Sequence, residues 1–256
     1  ITELTVRLFG IPEAVSAATC TFPDVASAVG TVATTIQSGI PVARAEFLDV
    51  GMMKAVNNHF KASFPETSTL FFEFHGSPAG VEEQAKLVQA IAADHGGADF
   101  QWASGQEALN RLWHVRHNAH YATLSMRPGA KVWSTDVCVP MSQLTELVRI
   151  THEDLKSISF FAAMVGHVGD GNFHVGLLVD PDSPAEMEQA EAFNARLVRR
   201  AIDLGGTCTG EHGVGIGKRK YLEWEHGPAL RYMRAIKQAL DPQGILNPGK
   251  VLPDLT

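Results

Sequence analysis

With 256 residues and 45% apolar content, the chain can bury a substantial core as one large domain or two small ones. Lys and Arg total 21 against 28 Asp and Glu, a formal charge of −7, and no basic run tracks a phosphate backbone, so the composition excludes nucleic acid as a partner. The longest apolar run, residues 158–166, falls far short of the roughly 20 residues that span a bilayer, and three cysteines without a CxxC pair, with no Asn-x-Ser/Thr sequon, favour a reducing compartment.

The opening stretch, ITELTVRLFG, lacks Met and reads as the end of a strand that began earlier, in a longer polypeptide. Weak period-2 runs at Ala14 to Phe22, Pro41 to Leu48, Ser68 to His75 and Asp99 to Ser104 predict strands. Between them, Asp24 to Gln37 ending at Gly39, Val50 to Phe60, and Gly80 to Asp94 ending at Gly96-Gly97 carry helical patterns with caps in place. This order suits an α+β fold, a ferredoxin-like antiparallel sheet with helices packed on one face.

The second half predicts a helix at Glu107 to Ser125, a strand at Lys131 to Val139, a helix at Met141 to Lys156, two strands flanking GHVGDGNFH, a long helix at Pro184 to Leu204, and terminal helices to Leu240. It continues the first half as a second α+β unit. A doubly wound parallel sheet is disfavoured because no Gly-rich turn follows the first strand, and Gly213-x-Gly215-x-Gly217 does not fit GxGxxG.

GHVGDGNFH, residues 166–174, is the first stretch that points to chemistry. A two-residue Asp170-Gly171 turn would set His167 directly across from His174, with Cβ atoms about 4.5 to 5.5 Å apart, so that both imidazoles reach one metal ion. A bare turn with two surface histidines is the alternative.

Glu211, in the Gly-rich bend TGEHGVG, is the candidate third ligand; two imidazoles and a carboxylate leave open positions for substrate. The side chain of its neighbour His212 must point another way and is free to exchange protons, although Glu211-His212 alone also reads as a solvated turn. Arg116, in LWHVRHNAHY, has the fork that suits a carboxylate, while His114, His117 and His120 read as ordinary polar positions of the same helix. DPQGILNPGKVL, residues 241–252, reads as a C-terminal tail punctuated by Pro and Gly.

Taken in order, GHVGDGNFH, GTCTGEHGVGIGKR and LDPQGILNPGKVL resemble the C-terminal half of FAD-linked oxidases of the vanillyl-alcohol-oxidase type, the group of D-lactate dehydrogenase, glycolate oxidase and D-2-hydroxyglutarate dehydrogenase. WHVRHNAHYATLSMRPGAKVWSTDVCVP is most similar to the cytochrome-linked D-lactate dehydrogenase branch, and the resemblance runs from Ile1 to Leu252.

The resemblance implies that residues 1–256 form the substrate-binding cap over FAD, and that an N-terminal FAD-binding domain, absent from this sequence, completes the enzyme. It implies that His167, His174 and Glu211 hold a divalent cation, zinc or manganese, that His212 is the general base, that Arg116 pairs with the substrate carboxylate, and that Asn247 lies near the flavin. The expected reaction is oxidation of a D-2-hydroxy acid, the proton leaving to His212 as C2 passes hydride to FAD. Gly176 and Ser134 stand where the D-2-hydroxyglutarate branch carries Asn and Lys, which argues for a monocarboxylate such as D-lactate; His120 leaves the side-chain pocket open.

A cytochrome, quinone or flavoprotein is the expected electron acceptor, and a homodimer is left open. The implied location is the bacterial cytoplasm or the periphery of the inner membrane, or the mitochondrion in a eukaryote. Two readings of other classes compete: a freestanding metal-dependent hydrolase using the same His-His-Glu set, and a non-catalytic module using its sheet as an interface.

Overall fold

The computed structural model describes residues 2–254. The first half runs β1 (Ala14–Phe22), α1 (Val25–Gln37), β2 (Val42–Leu48), α2 (Val50–Phe60), β3 (Ser68–Gly76), α3 (Pro78–Asp94) and β4 (Ala98–Ser104). The strands lie antiparallel in the order β4-β1-β3-β2, the ferredoxin-like arrangement expected from the sequence. Side-chain caps start the helices: Asp24 accepts from the Ser27 amide at 2.7 Å, Asp49 from the Met52 amide at 2.7 Å, and Ser77 from the Gly80 amide at 3.2 Å.

The second half contributes α4 (Gln106–His117), α5 (Ala119–Ser125), β5 (Lys131–Ser134), β6 (Val137–Cys138), α6 (Met141–Leu155), β7 (Ala162–Gly166), β8 (Asn172–Val179), α7 (Pro184–Asp203), α8 (Leu222–His226) and α9 (Leu230–Leu240). β7 pairs with β2 through Phe47 opposite Gly166 and Leu48 opposite Val165, so both halves share one antiparallel sheet, β4-β1-β3-β2-β7-β8-β5, with β6 alongside β8.

The α+β class and the antiparallel sheet are as the sequence indicates, but the helices are distributed differently. α1, α3, α6 and α7 cover one face, where Ala18, Phe47, Phe72 and Phe173 meet Val29, Val88, Leu147 and Phe193. On the opposite face Leu48, Phe71 and Ala163 pack against Met52 and Val56 of α2, Trp113 of α4 and Ala122 of α5. β8 is therefore buried at every position, as a strand covered on both sides must be.

Three predicted elements change. The helix over 107–125 divides at Asn118, whose side-chain amide donates back to the His114 carbonyl at 2.8 Å and ends α4. The strand over 131–139 breaks at Thr135-Asp136, two residues buried against the sheet edge. Residues 2–12 form no strand; no described segment pairs with them, and Leu4, Val6, Leu8, Phe9 and Ile11 stand exposed.

Asp49 joins the two layers at the start of α2. Its amide donates to the Met164 carbonyl of β7 at 3.0 Å, while burial pushes its carboxyl up to about 7 against the opposing pull of the Met52 amide. An acid whose folded pKa is raised favours folding most below the unfolded value of about 3.9, and that contribution is lost as pH rises through the folded value. Asp49→Asn keeps the cap and removes the buried charge. In thermal melts of the intact protein, this variant is expected to unfold at a higher temperature than wild type at pH about 8, with the gap closing as pH falls towards about 4.

Candidate active site

Between α2, α4 and α5 and the strands β5, β7 and β8 lies a cavity of about 410 Å³ lined by His167, His174, Glu211, His212 and Arg116. Five of the six predicted site residues thus come together. Asn247 does not: it lies exposed in the C-terminal tail, in the left-handed region at φ 48°, accepting from the Lys250 ammonium at 3.4 Å and lining a separate groove beside Ile236 and Leu240 of α9.

The hairpin register differs from the expected one. A 3₁₀ turn, Val168–Asp170, with Gly171 at φ 74°, makes a four-residue loop, so Val165 and not His167 faces His174. Gly171 is required there because a Cβ would collide with the Val139 carbonyl. The change in pairing is two residues, which preserves the face, and His167 ends diagonal to His174 with ring centroids 5.6 Å apart.

Each imidazole is oriented through Nδ1. His167 Nδ1 donates to Glu46 at 2.8 Å and His174 Nδ1 donates to the Thr135 carbonyl at 3.1 Å, an acceptor made available by the break between β5 and β6. The Nε2 lone pairs are then free, and both point at Glu211 Oε1, from 3.3 Å and 3.1 Å. Nitrogen and oxygen donors converging on one point, with the imidazoles tied down from behind, have the chemistry and second layer that a divalent cation needs. Burial pulls the pKa of His174 below its ordinary value, towards the neutral form that ligation requires, while the hydrogen bond that His167 donates to Glu46 raises its own pKa against the effect of burial.

His212 stacks parallel on His174, centroids 4.8 Å apart, with Nε2 3.6 Å from Glu211 Oε1 and close to half its side chain exposed to the cavity mouth. Arg116 is held edge-on by Glu46, Nε to Oε2 at 2.9 Å and a second nitrogen to the same oxygen at 2.9 Å. His117 and His120 also line the cavity, whereas His114 packs on Phe60. Ser134 and Gly176, the two positions singled out by the resemblance, pair across β5 and β8 in the cavity wall.

Two carboxylates that hold the cavity residues in place were missed by sequence reasoning. Glu46 lies between Ala45 and Phe47 in the buried C-terminal half of β2, and a charge flanked by apolar residues there was its signal. Asp136, fully buried, accepts from the Gly210, Glu211 and His212 amides at 2.9, 3.2 and 3.0 Å, from Thr209 at 2.9 Å, Asn172 at 2.9 Å and Lys218 at 2.9 Å. Burial alone would raise its pKa, but the hydrogen bonds from Lys218, Asn172 and His212 hold it well below the usual carboxylate range. Gly210 has no room for a Cβ between Asn172 and Asp136, which accounts for the glycine before Glu211.

The site and fold define a class. The chain belongs to the family of FAD linked oxidases, C-terminal domain, whose model matches residues 11–251. It is 48% identical over 253 residues to the probable D-lactate dehydrogenase, mitochondrial, of Danio rerio, covering 98% of this chain and 51% of that protein. It is 44% identical over 254 residues to the D-lactate dehydrogenase [cytochrome], mitochondrial, of Arabidopsis thaliana, covering 99% of this chain and 45% of that one. Among solved structures, 4-ethylphenol oxidase from Gulosibacter chungangensis shares the fold, with TM-score 0.71 and 15% identity, over 97% of this chain and 56% of that one. The chain thus spans about half the length of the relatives it matches, and none of its described helices is long and apolar enough to cross a membrane.

Asp136→Asn leaves the Lys218 ammonium without its buried counter-ion and faces one amide group against several donors. A loss of about 3 kcal/mol or more in unfolding free energy is expected by denaturant titration of the intact protein. Because the folded pKa of Asp136 is depressed, its contribution is complete above the unfolded value of about 3.9 and is lost as pH falls below it; the difference between wild type and variant should shrink on acidification.

Proposed function

We propose that the chain is the substrate-binding cap of a flavin-dependent dehydrogenase that oxidises D-2-hydroxy acids, with a monocarboxylate such as D-lactate as substrate. The observation that carries this reading is the convergence of His167 Nε2, His174 Nε2 and Glu211 Oε1 on one point, beside a free imidazole, His212, and a guanidinium, Arg116. Membership of the FAD-linked family and the likeness to D-lactate dehydrogenases support it.

In this reading His167, His174 and Glu211 would hold a zinc or manganese ion, which would supply Lewis acidity towards the 2-hydroxyl. FAD, carried mainly by an N-terminal domain outside this chain, would supply the hydride acceptor, and Asn247 would be the residue of this chain that lies near it. Arg116 takes the substrate carboxylate through the guanidinium edge not engaged by Glu46, which sets the orientation of C2. His212 accepts the hydroxyl proton at Nε2, its backbone anchored by Asp136 so that the ring stays stacked on His174. The hydride leaving C2 carries both electrons, and the hydroxyl carbon becomes the carbonyl of a 2-oxo acid. Ser134 and Gly176 offer no cation or amide for a second carboxylate. The electron acceptor downstream is a cytochrome, quinone or flavoprotein.

Anaerobic mixing of the full-length protein with D-lactate is expected to bleach its visible flavin absorbance, with L-lactate and D-2-hydroxyglutarate far slower. His212→Ala should retain substrate binding and reduce its flavin about 100-fold more slowly or worse. Normal flavin reduction by this variant removes the proton-transfer role, and failure of every D-2-hydroxy acid removes the reading as a whole.

A further inference from the structure

Glu46 faces neither the convergence point of the ligand atoms nor open cavity, yet it touches both arms of the site. One carboxylate oxygen, Oε1, accepts from His167 Nδ1 at 2.8 Å; the other, Oε2, accepts from Arg116 Nε and a terminal guanidinium nitrogen, both at 2.9 Å. Glu46 is 7% exposed and the Arg116 side chain 14%, so neither charge is well solvated and each depends on the other. The three residues come from β2, α4 and the β7–β8 turn, and no backbone ladder fixes α4 relative to that turn.

Resting on the reading above, we propose that Glu46 is a positioning residue that ties the carboxylate-binding arginine to the metal-binding histidine. Through Oε1 it keeps the proton of His167 on Nδ1, leaving Nε2 as the ligand atom and making it more basic. Through Oε2 it holds Arg116 by one edge of its fork, so that the opposite edge turns into the cavity. The two tasks need two acceptor oxygens. A carboxamide has one acceptor oxygen and an NH₂ group that can only donate, so glutamine at this position can serve His167 or Arg116 and must oppose the other.

That requirement gives a signature that a merely structural role lacks. Full-length protein stripped of metal is titrated with Mn²⁺ alone, the free ion being followed by electron paramagnetic resonance. Glu46→Gln should weaken Mn²⁺ binding about 10- to 100-fold, because the strong Arg116 donor captures the single acceptor and its NH₂ faces His167. Arg116→Met should weaken Mn²⁺ binding less than Glu46→Gln does, since both Glu46 oxygens remain acceptors and one still serves His167. The double variant should bind more tightly than Glu46→Gln, because without the guanidinium the amide oxygen can turn to His167.

Wild-type affinity in Glu46→Gln overturns the proposal, as does equal weakening by Arg116→Met, or a double variant no better than Glu46→Gln. His174→Ala separates the two levels: if it leaves Mn²⁺ binding unchanged, the ion sits elsewhere and the metal reading fails, together with the role of Glu46.

Discussion

A carboxylate buried away from water, as Asp136 is, survives in a fold only when donors surround it, and here the donors are the backbone of the bend that carries Glu211 and His212. The amides of Gly210, Glu211 and His212 converge on it together with Lys218 and Asn172. Residues 205–218 contain no helix or strand that would fix their course, so this anchor replaces the ladder that regular structure would supply. Glu211 reaches the two imidazoles, and His212 lies flat on one of them, because their main chain is pinned beneath.

The break that allows Asp136 to turn inward performs a second task. Thr135, the residue before it, offers its carbonyl to His174 Nδ1 and its hydroxyl to the Val175 amide, so one interruption between β5 and β6 orients both a metal-ligand candidate and the bend that carries the third. Glu46 does for His167 what Thr135 does for His174. The cavity floor is therefore a set of contacts made by sheet strands, and the groups that line the cavity are held by residues that do not.

Much of this was legible in the sequence where the signal was local. Asp24 and Asp49 mark helix starts, and the βα alternation gives the antiparallel class and the ferredoxin-like order. The spacing of His167 and His174 and the residue types of Glu211, His212 and Arg116 made them candidates, and the family resemblance assembled them into one site. The distribution of helices was less visible: the apolar stretches TLFFEF and FHVGLLV lack strict alternation, which is the mark of strands covered on both faces, and weak alternation elsewhere hid it. The hairpin register went wrong because GDG reads as a two-residue turn, whereas Val168 and Gly169 join a 3₁₀ turn whose tight packing against Val139 and Ala45 is a tertiary effect. Asp136 and Glu46 lie 75 and 121 residues from the groups they hold, a separation at which no pattern in a single sequence announces a contact.

The central claim is that His167, His174 and Glu211 are one ligand set rather than three neighbours. Anomalous diffraction at the manganese and zinc edges, from crystals of the full-length protein grown with the metal, tests it most directly. The expected result is a single peak about 2.1 Å from both Nε2 atoms and from the Glu211 carboxylate, with Nδ1 of each histidine still on Glu46 and Thr135. A peak bound elsewhere, or no peak with all three side chains ordered, contradicts it.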